Sequence, residues 1–310
     1  MKIVFMGTPD FSVGALESLI EAGHEIAAVV TQPDKKKGRG NQVQFTPVKE
    51  AALRHNLTVY QPKRARDEEF IELLKEINPD VMVVIAFGQI LPKSILTIAK
   101  YGCVNIHASL LPKYRGAAPI QWAIIDGEEK TGVTTMQMNE GIDTGDILET
   151  TEIVIDKKET GGSLFDKLSE AGAKLIVQTL ANIEKGNINP IKQDDSKSNY
   201  AKMLTKELGY IDFNKSAIEI ERLVRGLTPW PSAYTKLDGK TLKIWDCDVL
   251  DKEYDGECGE VVKIDKTAIY VKTGDKTLVI NELQLEGKKR METTAFLLGY
   301  KLEKGVILRW

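Results

Sequence analysis

The chain has 310 residues, 42% of them hydrophobic and 28% charged, with a formal net charge of −3. That length supports two domains with separate cores, the composition is that of an ordinary soluble protein, and the slight acidity does not advertise a nucleic-acid binder. Three cysteines, never in a CxxC pair, and three histidines argue against a structural zinc site or a disulfide framework, and a reducing cytoplasm is the expected compartment. No apolar run approaches the length needed to cross a bilayer. The first such run, Ile3 to Met6, is short and ends in GTPD, so it is expected to be a strand and a turn rather than a signal peptide.

The first two hundred residues alternate strand-like and helix-like patterns, which predicts a Rossmann-like open parallel sheet with helices on both faces. In chain order the expected elements are a strand at Ile3–Met6, a helix at Phe11–Ala22 stopped by Gly23, and a strand at Ile26–Thr31. A helix at Val48–Arg54 follows, with Pro47 at its start, where a missing N–H costs little. Then come a helix at Phe70–Ile77 and strands at Val81–Ala86 and Cys103–His107, the first all-apolar, as in strands buried on both faces. Thr131–Met138 and Ile147–Ile155 read as strands by their β-branched residues, and Gly162–Ile183 as a long closing helix. Residues 1–185 thus form one expected domain, and the polar run 186–206 a linker.

Residues 207–310 change character. After a helix near Ala217–Arg225, short strands are expected at Ala233–Leu237, Leu242–Val249, Gly259–Ile264, Ala268–Thr273 and Thr277–Leu285, separated by DG, DK and GD turn signals. Such a series suits a small barrel, an OB-type barrel being one candidate.

The run CVNIHASLLPKYRGAAPI, Cys103 to Ile120, carries most of the functional information. Side chains two apart on a strand share a face, so Asn105 and His107 project together at the strand's carboxyl end. In an open α/β sheet ligands bind beyond that end. An amide and an imidazole side by side can steady a developing oxyanion and move a proton; equally, an Asn and a His at a strand end can simply cap turns. The first turn, GTPDFSV, lacks the G-x-G-x-x-G geometry that cradles a dinucleotide, so NAD is not expected. The connection Gln32–Thr46 is long against the usual span of about two to six residues. It opens a basic stretch between Thr31 and Arg66 that could meet phosphates or could be a solvated surface.

The Asn-x-His strand end, the SLLP turn and RGAAPIQWA at 115–123 resemble the formyltransferase family that uses formyl-tetrahydrofolate. GVTTMQMNEGIDTGDIL at 132–148 agrees, as do MKIVFMGTPDFSVGALESL at the start, TQPDKKKGRGNQVQFTPVK at 31–49 and LTPWPSAYTKLDGKTLKIWD at 227–246, so the resemblance covers essentially the whole chain. It implies acyl transfer with Asn105, His107 and Asp143 as the catalytic group; Asp146 lies close enough to compete, and only the family pattern favours Asp143. It implies 10-formyltetrahydrofolate as the formyl donor and no metal. Ser109, Leu110, Leu111 and Pro112 would contact the folate, and Phe87, Gly88, Gln89, Ile90 and Leu91 would wall its pterin pocket. The amine acceptor it implies is methionyl initiator tRNA. Phe11 would lie near the methionyl group and Arg39 would enter the acceptor stem. The resemblance also implies an OB-like, tRNA-binding domain at 207–310. The chain is expected to act as a monomer away from membranes.

Two rival readings belong beside this one. A formyltransferase acting on a small amine, glycinamide ribonucleotide or an amino sugar, would share the chemistry. The first usually lacks a second domain, and the second fits the lysine-rich loop less well. A non-catalytic RNA-binding protein would share the architecture, but has no use for Asn105, His107 and Asp143 together.

Overall fold

The computed structural model describes residues 1–37 and 42–309, the side chains of 36, 37 and 42 excepted. The chain divides into two units. The first comprises residues 1–119, 130–154 and 165–201, and the second 120–129, 155–164 and 202–310. The polar run expected as a linker is therefore shared: 186–201 belongs with the first unit and 202–206 with the second.

The strands in chain order are β1 (Lys2–Gly7), β2 (Glu25–Val30), β3 (Lys35–Lys37), β4 (Gln42–Gln44), β5 (Val59–Tyr60), β6 (Val81–Ile85), β7 (Cys103–His107), β8 (Arg115–Gly116), β9 (Lys130–Gln137), β10 (Ile147–Val154) and β11 (Tyr200–Ala201). The helices are α1 (Val13–Glu21), α2 (Pro47–Arg54), α3 (Glu68–Ile77), α4 (Lys93–Leu96), α5 (Pro119–Ile125) and α6 (Gly161–Glu184). The main sheet has the order β10-β9-β7-β6-β1-β2-β5. From β7 to β5 every ladder is parallel, which gives the Rossmann-like core. Two further strands extend this parallel core in the opposite sense: β9 runs antiparallel to β7, and β10 antiparallel to β9. Alternation and β-branching mark a strand but not its direction.

The core explains where the site can be. One sheet face buries Val4, Met6, Ala28, Val30, Met82, Val84 and Cys103 against α3 and α4 through Phe70, Leu74, Ile95 and Leu96. On the other face α6 comes so close that a Cβ on Gly172 would lie 3.0 Å from Ile106 Cγ2. Strand order reverses between β1 and β6, the place where open α/β sheets form their ligand crevice. There the Thr8 hydroxyl donates to the Phe87 carbonyl at 2.9 Å and the Ser12 hydroxyl to the Ile85 carbonyl at 2.8 Å.

The Gln32–Thr46 connection is less irregular than its length suggested. Its described flanks, β3 and β4, pair antiparallel from Lys35↔Gln44 to Lys37↔Gln42. At their base Lys49 pairs with Asp34, and on α2 Arg54 pairs with Glu17 at 3.1 Å. Two cations of the basic stretch thus already have acidic partners.

In the second unit α7 (Ala217–Gly226) begins in a capping box, with Ser216 and Glu219 bonding each other's backbone N–H groups. The strands β12 (Ala233–Leu237), β13 (Lys240–Leu250), β14 (Val261–Ile264), β15 (Ile269–Lys272) and β16 (Thr277–Leu285) form an antiparallel sheet in the order β12-β13-β16-β15-β14, with β17 (Met291–Glu292) added to β16. The DG signal is a two-residue hairpin turn: Asp238 and Gly239 both have positive φ, 49° and 73°. Ile220 and Val224 of α7 and Phe296 of α8 (Thr293–Gly299) close over Ile244, Val271, Ile280 and Leu283. Among the described residues no ladder joins β12 to β14, as in a partly open OB-type barrel. None of the described helices is long and apolar enough to cross a membrane.

Candidate active site

Strand β7 ends as its sequence predicted, and its register explains why polar groups appear there. Cys103 pairs with Met82 and Asn105 with Val84, so Cys103, Asn105 and His107 continue one apolar row of the sheet. The row turns polar at its carboxyl end. Asn105 is 9% exposed and His107 6%. Among the described residues the Asn105 amide makes no hydrogen bond. A nearly buried polar group left unspent is costly unless a ligand uses it. Cys103 offers no nucleophile: burial alone pushes its thiol up to about 12, so no thiolate is present near neutrality.

His107 Nε2 lies 2.8 Å from the carbonyl oxygen of Tyr114. A carbonyl only accepts, so Nε2 carries a hydrogen, and Nδ1 is the nitrogen left to gain or lose one. Nδ1 lies 3.7 Å from Asp143 Oδ2, too long for a hydrogen bond but close enough for charge to be felt.

The turn after β7 is built from its own polar groups. The Thr134 hydroxyl, on the β9 residue opposite His107, donates to the Ser109 carbonyl at 2.7 Å and accepts from the Leu111 N–H at 3.1 Å. The Ser109 hydroxyl donates to the Lys113 carbonyl at 2.7 Å. Asn199 binds the Tyr114 N–H through its side chain and the Arg115 N–H through its carbonyl at 3.1 Å. This fixes the carbonyl that sets the His107 tautomer. Gly116 has φ 108°, and a Cβ there would fall 2.7 Å from the Tyr200 ring.

Asp143 sits in the 138–146 loop with φ 51°, a left-handed conformation that Asp tolerates. The Gly116 N–H donates to its Oδ2 at 2.8 Å. The loop closes tightly: a Cβ on Gly145 would lie 1.7 Å from the Gln137 carbonyl oxygen. Asp146 is exposed and its carbonyl accepts from the Gln137 N–H at 2.9 Å. Of the two competing aspartates, only Asp143 faces His107.

The remaining predicted residues are placed unevenly. Phe87 and Leu91, 2% and 4% exposed, belong to the apolar core. The Gln89 amide is taken up by the Ala65 N–H at 2.6 Å and the Pro62 carbonyl at 3.2 Å. That leaves Gly88 and Ile90, 79% exposed in the latter case, as the accessible part of 87–91. Ser109 and Leu111 are buried, while Leu110 and Pro112 are partly exposed. Phe11 is buried, its ring centroid 5.1 Å from that of Phe165 in an edge-to-face arrangement. Arg39 lies outside the described residues. Residues not singled out from the sequence are Thr134, Arg115 and Gly116, which lie inside the quoted family stretches, and Gln193 and Asn199, which lie outside them.

Comparison with known proteins identifies the family. The formyl transferase model matches residues 1–180, and the model of the formyl transferase C-terminal domain residues 203–301. Among curated proteins, the methionyl-tRNA formyltransferase of Lachnospira eligens is 59% identical over 99% of each chain, and that of Agathobacter rectalis 57% identical over 98% of each. The same-named protein of Clostridioides difficile is 52% identical over 99% of this chain and 100% of its own. Among solved structures, the sugar 3N-formyl transferase WlaRD superposes with a TM-score of 0.67 at 20% identity, covering 93% of this chain and 99% of its own, a likeness of fold. HypX from Aquifex aeolicus, in complex with tetrahydrofolic acid, gives 0.64 at 20% identity over all of this chain, which spans 51% of that longer protein. With both of its units matched and full-length relatives above half identity, this chain belongs to the formyl transferase family.

Proposed function

We propose that this enzyme transfers the formyl group of 10-formyltetrahydrofolate to the α-amino group of methionyl initiator tRNA, giving N-formylmethionyl-tRNA in the cytoplasm. The observation that carries the reading is the unspent Asn105 amide on the same strand end as His107, whose free nitrogen faces Asp143. Full-length relatives named for methionyl-tRNA support the choice of acceptor.

The folate donor supplies an activated formyl carbon when bound. The available surface suits it: an open amide at Asn105 and accessible chain at Gly88, Ile90, Leu110 and Pro112. Asn105 donates to the formyl oxygen as negative charge develops there, without changing its own charge; one such donor is worth about 3–4 kcal/mol of barrier. His107 receives the amine's proton on Nδ1, because its Nε2 hydrogen is committed to Tyr114. The Asp143 carboxylate then faces the positive ring, and the proton passes to the leaving nitrogen. Phe11 and Arg39 are assigned to the methionyl group and the acceptor stem, as the family pattern suggests. Neither an enzyme-bound intermediate nor a metal enters this scheme.

The test is acceptor choice. The enzyme is incubated with 10-formyltetrahydrofolate and either charged initiator tRNA, charged elongator tRNA, glycinamide ribonucleotide or an amino sugar nucleotide. Formylation of the initiator species far above the others is expected. Preference for either small amine would overturn the reading.

A further inference from the structure

We propose that Gln193 is a positioning residue for formyl transfer, acting through Asp143; this rests on the reading of Asp143 as part of the catalytic group. Gln193 lies in the polar run after α6 and is 7% exposed. Both ends of its carboxamide are used. Nε2 donates to the carbonyls of Asp143 at 2.8 Å and Gly145 at 2.6 Å. Oε1 accepts from Arg115 Nε at 3.0 Å and Nη2 at 2.8 Å. Arg115 is 9% exposed and also reaches Asp195 at 2.8 Å.

These bonds close a ring. Gly116, next to Arg115 in the chain, donates its N–H to the Asp143 carboxylate. Asp143 is thus held by its side chain through Gly116 and by its backbone through Gln193, and Arg115 joins the two holds. The other side-chain bonds inside the loop are local: Asn139 Oδ1 accepts from the Gly141 N–H and the Thr144 hydroxyl. The loop is exposed at Gly141, Ile142 and Asp146, so contacts from outside decide where the carboxylate stands. A side-chain amide suits the place, since it must accept from a guanidinium on one side and donate to two carbonyls on the other. The Arg115 fork orients the amide, which removes the ambiguity between its oxygen and nitrogen.

Gln193→Glu separates the two halves of this role. It is isosteric and keeps the Arg115 fork, but it sets a carboxylate oxygen against two carbonyl oxygens. We expect kcat to fall on the order of 10²-fold, the scale of a displacement of about 1 Å at the reacting groups. KM for both substrates and the melting temperature should change little. Gln193→Met, which keeps the shape and removes both hydrogen-bonding ends, is the second variant should the first fail to fold. Each is also made in an Asp143→Asn background and read by single-turnover formylation.

If Gln193 acts through Asp143, its substitution adds almost nothing there. An equal fold-loss in both backgrounds, or a loss that follows the melting temperature, would make Gln193 merely structural and overturn the proposal. Near-normal kcat in Gln193→Glu, alongside a crippled Asp143→Asn, would overturn it while sparing the catalytic group. Near-normal turnover in Asp143→Asn would remove the catalytic reading of that residue, and this proposal with it.

Discussion

His107 and Asp143 face each other across 3.7 Å, Nδ1 to Oδ2, and the facing nitrogen is the only one of the ring free to exchange a proton. The Tyr114 carbonyl fixes that choice from the opposite edge at 2.8 Å. A strand end thus supplies a base with a defined tautomer and a carboxylate to balance its charge. Asn105, two residues back, supplies an uncharged donor whose hydrogens no described residue uses.

Removing either strand-end group should cost turnover rather than fold. Asn105→Ala and His107→Ala are each expected to lower kcat about 10²- to 10³-fold, the worth of one oxyanion donor or proton carrier. Circular dichroism and tRNA binding should stay close to those of the parent. Retention of near-normal turnover at saturating substrates by either variant would remove that residue from the catalytic group.

The two aspartates of the loop should separate. Asp143→Asn keeps an oxygen for the Gly116 N–H but removes the charge facing His107, and most activity should go with it. Asp146→Asn alters an exposed side chain whose backbone makes the ladder contact, so its kcat/KM should stay within a few-fold of the parent, about 1 kcal/mol or less. Steady-state kinetics of the pair decides the assignment, and the reverse ranking would transfer the role to Asp146.

Arg39 tests the acceptor. β3 and β4 bring the two ends of the segment that contains it side by side. Arg39→Ala should lower kcat/KM for methionyl-tRNA and leave folate binding unchanged. Arg39→Lys should recover little, because an ammonium cannot copy a two-pronged guanidinium contact. An equal loss with a free small amine as acceptor would place the segment in the catalytic pocket instead.

The capping box of α7 gives a stability prediction in the second unit. Ser216→Ala should destabilise it by about 1 kcal/mol, read as a lower urea midpoint. The Ser216 hydroxyl and N–H hold the Glu219 carboxyl below its ordinary value of 4.5. The folded chain therefore releases this proton more readily than the unfolded one. The resulting stability is fully present above the ordinary value and fades as pH falls through the lower folded one. The stability difference between the parent and Glu219→Gln should accordingly hold from neutral pH down to the ordinary value of 4.5 and shrink as pH falls below it.

The legible parts of this protein were those written in local periodicity. β7, β12 and β16 occupy the residues at which strands were expected, and Asn105 and His107 share a face because a strand repeats every two residues. The change from α/β to all-β near residue 207 was visible in the turn signals. What escaped had no local signature. The reversal of β9 leaves the same apolar pattern as a parallel strand would. Nothing in GIDTGD tells Asp143 from Asp146; a close approach at Gly145 and a left-handed residue at Asp143 decide which carboxylate turns inward. Arg115 sits in the two-residue strand β8 and Gln193 and Asn199 in short irregular segments, 80 residues apart at the Arg115–Asp195 bond. Such segments meet only because the tertiary fold lays the chain after α6 against the turn after β7. Side-chain period reports which way a residue points within its own element, whereas a hydrogen bond between distant loops exists only once the sheet has brought them together.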